Sequence, residues 1–107
     1  MTRSVRFHPL ATAEVVEAQL WYEHRVYGLG DRFLRALRNV TDDAAQRPNV
    51  GTPTRTNDVG KVLERKVGTA GFPYVVVYRA TGRSGPEVLA VHHERRRPSY
   101  WADRTTN

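Results

Sequence analysis

The chain has 107 residues, of which 39% are hydrophobic and 26% charged, a size and composition typical of one folded domain. It contains no cysteine, which excludes disulfides, cysteine-ligated metal centres and thiol catalysis. No apolar run approaches the ~20 residues of a membrane span, and the first residues lack the apolar segment of a secretory signal. We therefore expect a single cytoplasmic domain over residues 1–107, without a membrane segment.

The chain is strongly basic, with a formal net charge of +6. Arginine supplies 15 of the 17 basic residues, and its planar fork suits phosphate and carboxylate groups. Residues 51–107 hold ten basic and five acidic side chains, whereas residues 1–50 are nearly balanced. This asymmetry favours an acidic or phosphate-rich partner, and the alternative is a charge that only aids solubility.

The N-terminal half predicts a short strand and two helices. Residues Arg3–His8 alternate polar and apolar side chains, which indicates a strand, and Pro9 can open a helix that continues from Leu10 to about Tyr27. Two adjacent apolar lines on this helix predict a wide buried stripe: Leu10, Ala13, Val16 and Leu20, and beside them Ala11, Val15, Ala18 and Tyr22.

A second helix follows after a very short connection. Gly28-Leu29-Gly30 breaks the first helical pattern, and Asp31 is the predicted cap of a helix over Asp31–Gln46, which ends before Pro48. Its apolar line is Phe33, Leu37, Val40 and Ala44. Helices joined by so few residues form an antiparallel hairpin.

The C-terminal half predicts a sheet. Asn49–Gly60 has the composition of a loop, and strands are predicted over Lys61–Val67, Phe72–Arg79 and Glu87–His92, the second of them central. The predicted fold is therefore α+β in the order β-α-α-β-β-β: an antiparallel C-terminal sheet with the helix hairpin packed on one face. A basic tail covers about residues 93–107.

The order and spacing of several short segments resemble the ParE/RelE superfamily of bacterial type II toxins, often called plasmid stabilisation proteins. The resemblance runs from about Val5 to Arg104 and is carried by Phe7-His8-Pro9, Ala13-Glu14, Trp21-Tyr22-Glu23, Gly28-Leu29-Gly30, Arg32-Phe33, Pro48, Phe72-Pro73-Tyr74, Tyr78-Arg79, Val88–His92, Arg95-Arg96, Pro98 and Tyr100-Trp101.

The resemblance implies a growth-inhibiting toxin that a cognate antitoxin neutralises by direct binding. ParE-like members are associated with inhibition of DNA gyrase and have no established catalytic site, whereas RelE-like members cleave mRNA on the ribosome. Other relatives have no known activity. We expect no cofactor, and the net positive charge favours an acidic antitoxin.

Whether the protein is an enzyme depends on the residues available for RNA cleavage without a metal. Such cleavage needs a base, an acid and cations that stabilise the transition-state charge, for which the candidates are Arg79, His92, Arg95 and Tyr100. The RelE pattern has an arginine on the central strand where this chain has Val75 or its neighbours, and this difference favours the ParE-like, non-enzymatic interpretation. Alternatively, His92 only bonds to the backbone or stacks on Trp101.

The basic tail is the predicted partner-binding surface. Its candidates are Arg95, Arg96, Arg97, Tyr100 and Trp101, because arginine and aromatic residues dominate interface hot spots. In a second interpretation, Trp101 folds back onto the open side of the core. No spacing of histidines and carboxylates predicts a metal site.

Overall fold

The fold combines a helix hairpin with a mixed sheet, as the α+β prediction requires. A computed structural model describes residues 5–81, 84–96 and 100–104. The helices are α1 (Pro9–Arg25) and α2 (Leu29–Gln46), and the strands are β1 (Arg6–Phe7), β2 (Thr52–Thr56), β3 (Val62–Thr69), β4 (Phe72–Ala80) and β5 (Pro86–His93). A short 3-10 helix covers Ala102–Arg104.

The sheet has the strand order β1-β5-β4-β3-β2, so β4 is central as predicted. The chain from β2 to β5 pairs antiparallel at each step, whereas β1 runs parallel to β5 and makes the sheet mixed. Strand β1 is shorter than predicted, and the predicted residues Arg3 and Ser4 lie outside the described part of the chain.

The segment predicted as a loop contains an additional strand. Residues Thr52–Thr56 pair with β3, and all five of them are exposed. An exposed edge strand has no buried face, so it lacks the alternation of apolar and polar residues by which strands are predicted. The loop prediction for Asn49–Gly60 was therefore wrong over β2.

The turn between the helices depends on one carboxylate. Glu23 accepts hydrogen bonds from the backbone N–H groups of Gly28 and Gly30, each at 2.9 Å. Because these N–H groups at the start of α2 are satisfied, the helix begins at Leu29, and Gly28 at φ 84° is its N-cap. The prediction that Asp31 is the cap was wrong, since Asp31 lies inside the first turn.

The main core lies between the helix hairpin and one face of the sheet. Phe33 of α2 is fully buried and packs against Tyr22, Phe72 and Tyr74. Only one of the two apolar lines predicted on α1 faces this core: Ala11, Val15, Ala18 and Tyr22. Leu10, Val16 and Leu20 of the other line are exposed, because the stripe is wider than the surface that α1 shares with its neighbours.

Candidate interaction surface at the C-terminal segment

The C-terminal segment folds back onto the sheet face opposite the helices. Alternation along β4 directs Val76 and Tyr78 into the main core and Val77 into a second cluster, where it packs with Leu89, Ala90 and Trp101. Trp101 is 6% exposed. The structure thus places Trp101 as in the second interpretation of the sequence, with its ring on the core.

A buried carboxylate on β3 orients Trp101. The indole Nε1–H of Trp101 donates a hydrogen bond to Glu64 Oε1 at 3.0 Å, and Thr54 Oγ1 donates to the same oxygen at 2.9 Å. Arg55 Nε lies 3.7 Å from Glu64 Oε2. These contacts connect the C-terminal segment with both β3 and β2.

A second carboxylate, Glu14 on α1, ties the segment to the other side of the sheet. It accepts hydrogen bonds from the Tyr100 hydroxyl, from Arg104 Nη1 at 3.0 Å and from the backbone N–H of Val91 at 2.9 Å. Arg104 Nη1 also donates to the carbonyl oxygen of Leu89 at 3.1 Å. Side chains therefore bond to two backbone groups of β5 beyond the residues that pair with two-residue β1.

Tyr100 is held as a protonated phenol. Its burial, then the hydrogen bond to Glu14 and that carboxylate's negative charge, raise the pKa of Tyr100 well above its ordinary range. The guanidinium groups of Arg96 and Arg104 lie 4.0 Å and 4.9 Å from the centre of its ring. Tyr100 is thus a hydrogen-bond donor and a platform for cations, and a poor general base.

His92 belongs to the same cluster. Its ring stacks on Trp101, with 5.0 Å between ring centres and an interplanar angle of 18°. Its Nδ1 lies 2.7 Å from the carbonyl oxygen of His93, and because a carbonyl only accepts, we assign the proton to Nδ1. The neighbouring His93 ring contacts Tyr74 in the helix-side core, so the two histidines face opposite sides of the sheet.

The environment of His92 keeps its imidazole neutral. Burial lowers the pKa of His92, and the nearby positive charges of Arg96 and Lys66 lower it further. The hydrogen bond to the His93 carbonyl and the negative charge of Glu14 oppose this change. Burial is the largest of these effects, so the neutral form is favoured.

The four candidate residues for RNA cleavage are only partly brought together. His92 and Tyr100 are neighbours, with 5.8 Å between ring centres. Val75 on β4 pairs with His92, and Arg79 lies four residues further along the same strand. The backbone of Arg79 is therefore about 13 Å from that of Val75, and Arg79 is not a neighbour of His92. Its Nε donates to Glu87 Oε1 at 2.7 Å.

The remaining tail candidates differ in how accessible they are. Arg95 and Arg96 are exposed just after β5, and the Arg95 backbone N–H donates to His93 Nδ1 at 3.1 Å. Tyr100 is half-buried and Trp101 is buried. Trp101 therefore lies beneath the accessible residues and contributes to this surface by packing. Arg97 lies outside the described residues.

Sequence reasoning had not identified Glu14 and Glu64 as members of this site. Glu64 is buried and the Glu14 side chain nearly so, and burial is costly for a carboxylate unless it is paired. Within the described ranges, no group of three or more histidine or acidic side chains is placed to hold a metal ion. Neither helix in this part of the chain is long and apolar enough to cross a membrane.

The chain matches a known protein family. A family described as the ParE toxin of the type II toxin-antitoxin system parDE matches residues 5–98. Curated proteins provide no match to the chain. The match covers both helices and all five strands of the sheet.

Proposed function

Because the chain belongs to the ParE toxin family of type II toxin–antitoxin systems, we propose that it inhibits DNA gyrase by binding it, without catalysis of its own. The family implies an antitoxin partner. In this proposal the cognate antitoxin neutralises the toxin by direct contact. Gyrase acts on the chromosome, so the proposed site of action is the cytoplasm.

The observation that carries the non-catalytic proposal is the engagement of Tyr100 by Glu14. A tyrosine that donates its proton to a carboxylate and has a raised pKa does not serve as a base. The second candidate group, His92, is stacked and has its Nδ1 bonded to the backbone. Arg79, the candidate cation on β4, bonds to Glu87. Each of these groups has a structural role that accounts for its presence.

The same contacts favour a protein-binding role for the tail. Glu14 and Glu64 fix the segment over residues 100–104 from two sides, so little conformational entropy remains to be lost when a partner binds it. Arg95 and Arg96 stand exposed beside this fixed segment. Exposed arginines next to a rigid aromatic platform suit an acidic protein surface.

Supercoiling by purified gyrase tests this proposal. We expect antitoxin-free protein to inhibit supercoiling and to cause cleaved DNA to accumulate, and a double substitution of Arg95 and Arg96 by Ala to weaken inhibition at least tenfold. Arg35→Ala with Arg38→Ala, which removes the same charge from the exposed surface of α2, is the matched control. Equal losses in both variants would mean that net charge alone, and no particular surface, matters.

One observation favours a second candidate, a ribosome-dependent mRNA interferase. His92 and Tyr100 lie side by side, Arg96 stacks on Tyr100, and Lys66 is close enough to affect the pKa of His92. If this cluster cleaves RNA, replacing Arg95 and Tyr100 by Ala abolishes cleavage of mRNA on purified ribosomes while antitoxin binding persists. A third alternative is that this chain is an inactive relative that only binds antitoxin. In that case its expression without antitoxin does not slow growth, whereas expression of either kind of toxin does.

A further inference from the structure

The outer side of α1 carries apolar residues that no described element covers. Leu10, Val16, Leu20 and Trp21 are each about half exposed, and Leu20 and Trp21 lie one helical turn beyond Val16 and Glu17. Large exposed apolar surfaces on a soluble protein commonly mark interaction sites. This stripe, which we call the outer stripe, is separate from the C-terminal segment described above.

An open pocket of about 520 Å³ adjoins the outer stripe where α1 passes the ends of β4 and β5. Its walls are largely aromatic: Trp21, Tyr22, Tyr74 and His93, together with Pro73. The centres of the Tyr22 and Tyr74 rings are 6.1 Å apart, and those of Tyr74 and His93 are 5.6 Å apart.

The pocket also holds an unpaired carboxylate. Glu17 lines it and has no hydrogen bond or ion pair with any residue in the described part of the chain. Burial raises the pKa of Tyr74, and the negative charge of the nearby Glu17 carboxylate raises it further. Glu17 is exposed, so its negative charge is accessible to a partner of a chain whose net charge is +6.

Aromatic rings beside a carboxylate form a site for a cation. Ring faces attract ammonium and guanidinium groups, and the carboxylate adds a charge-assisted hydrogen bond. Trp21 already binds one cation in this way, because the Arg25 guanidinium lies 4.2 Å from its ring centre. Glu17 and Trp21 also line a neighbouring cleft, together with Arg25, Leu20 and His24, but Arg25 does not line the aromatic pocket.

We propose that this aromatic pocket receives an arginine or lysine side chain of the antitoxin, while apolar residues of the same antitoxin segment cover the outer stripe. The inference rests on the proposed neutralisation by direct binding. A free small cation would leave the outer stripe uncovered, whereas a protein segment fills the pocket and covers the stripe together. The charge of Glu17 is opposite to that of the incoming side chain.

Isothermal titration calorimetry, in which purified cognate antitoxin is added to the toxin, tests the inference by measuring the binding affinity. Glu17→Gln keeps the shape of the side chain and removes the charge, and we expect it to weaken binding at least tenfold; Trp21→Ala should do the same. Asp42→Asn, an exposed carboxylate on α2, and Tyr27→Ala, a 96% exposed aromatic residue at the hairpin tip, are the matched controls and should leave binding within twofold.

The outcomes separate the two proposals. If folded wild-type toxin binds no antitoxin, neutralisation by direct binding is wrong and this inference falls with it. If wild-type toxin binds and Glu17→Gln and Trp21→Ala both stay within twofold, the antitoxin uses another surface and only this inference is overturned.

A double-mutant cycle identifies the incoming side chain. Each arginine and lysine of the antitoxin is replaced by Gln in turn and titrated against wild-type toxin and Glu17→Gln. We expect one antitoxin substitution to weaken binding to the wild type tenfold and to have little further effect on Glu17→Gln. Losses that multiply independently for every basic residue would contradict a cation in this pocket.

Discussion

The Tyr100 hydroxyl donates a hydrogen bond to the carboxylate of Glu14, which joins the C-terminal segment to the first helix across 86 positions of the sequence. The same carboxylate binds Arg104 and the backbone of β5. One side chain of α1 therefore holds the C-terminal segment in place and connects it with the edge of β5. The proposed gyrase-binding surface depends on this connection.

Substitution of Glu14 by Ala should destabilise the protein strongly. It leaves the Tyr100 hydroxyl and the Val91 N–H without their acceptor and removes the ion pair of Arg104 in a nearly buried place. We expect a loss of about 3 kcal/mol in the free energy of unfolding. Urea denaturation measures this change. The control is Glu17→Ala one turn later on α1, which should stay within about 0.5 kcal/mol. Equal stability of the two variants would mean that Glu14 does not hold the segment.

His92 should make stability depend on pH in the weakly acidic range. Burial lowers the pKa of His92 in the folded state, whereas the unfolded chain has the ordinary value of 6.5. The unfolded state thus takes up a proton first, and the stability present above pH 6.5 is lost as the pH falls through the folded pKa.

Denaturation at several pH values measures this dependence, and an NMR titration of the imidazole gives the folded pKa directly. His92→Gln should flatten the decline in stability below pH 6.5 relative to wild type. An imidazole that titrates at or above its ordinary value would show that His92 is solvated or paired with a carboxylate.

The elements with a buried face could be predicted from the sequence, and the exposed edge could not. The Phe72–Ala80 segment reads as a central strand because both of its faces are covered, by the helices and in part by the C-terminal segment. Strand β2 is held by backbone pairing to β3, for which the sequence carries no side-chain pattern. On α1, the sequence shows that a wide stripe of the helix surface is apolar, but it does not show which part of the stripe packs against the sheet.

The site was harder to predict because its key groups act through long-range pairing. His92 stacks on Trp101, which is one of the alternatives that the sequence leaves open for this residue. Glu14 and Glu64 have ordinary neighbours in the sequence, and only the fold brings them to Tyr100 and Trp101. Partner binding by Arg95, Arg96, Arg97, Tyr100 and Trp101 remains a prediction.

Gly30 should tolerate no side chain, because the two helices approach closely there. An added Cβ would lie 2.8 Å from the backbone oxygen of Gln19 and 2.9 Å from Glu23 Oε1, so Gly30→Ala must displace α1 or the Glu23 cap. We expect a cost of about 1–3 kcal/mol in thermal or urea denaturation. The control is Gly68→Ala on β3, where nothing lies within 4 Å of the added carbon. A Gly30→Ala variant as stable as Gly68→Ala would contradict the close approach.

Trp101 should stabilise the protein through both its ring and its N–H group. Trp101→Phe keeps most of the packing on His92 but removes the hydrogen bond to Glu64, and we expect a loss of about 1–2 kcal/mol. Trp101→Ala also leaves a cavity beside Val77 and Leu89, for a loss of about 3–5 kcal/mol. Trp21→Phe, at a half-exposed position, is the control in the same denaturation series and should change little. Equal effects at both tryptophans would contradict the burial of Trp101.

Gyrase inhibition by binding can be distinguished from catalysis by one titration. Supercoiling by purified gyrase is measured at several molar ratios of antitoxin-free toxin and at several times, and antitoxin is then added. Binding predicts that inhibition follows the molar ratio, does not deepen with time once equilibrium is reached, and is reversed by the antitoxin. Unchanged supercoiling with an excess of folded toxin would contradict gyrase as the target. A mechanism without catalysis would be contradicted if toxin at a small fraction of the gyrase concentration caused inhibition that deepens with time.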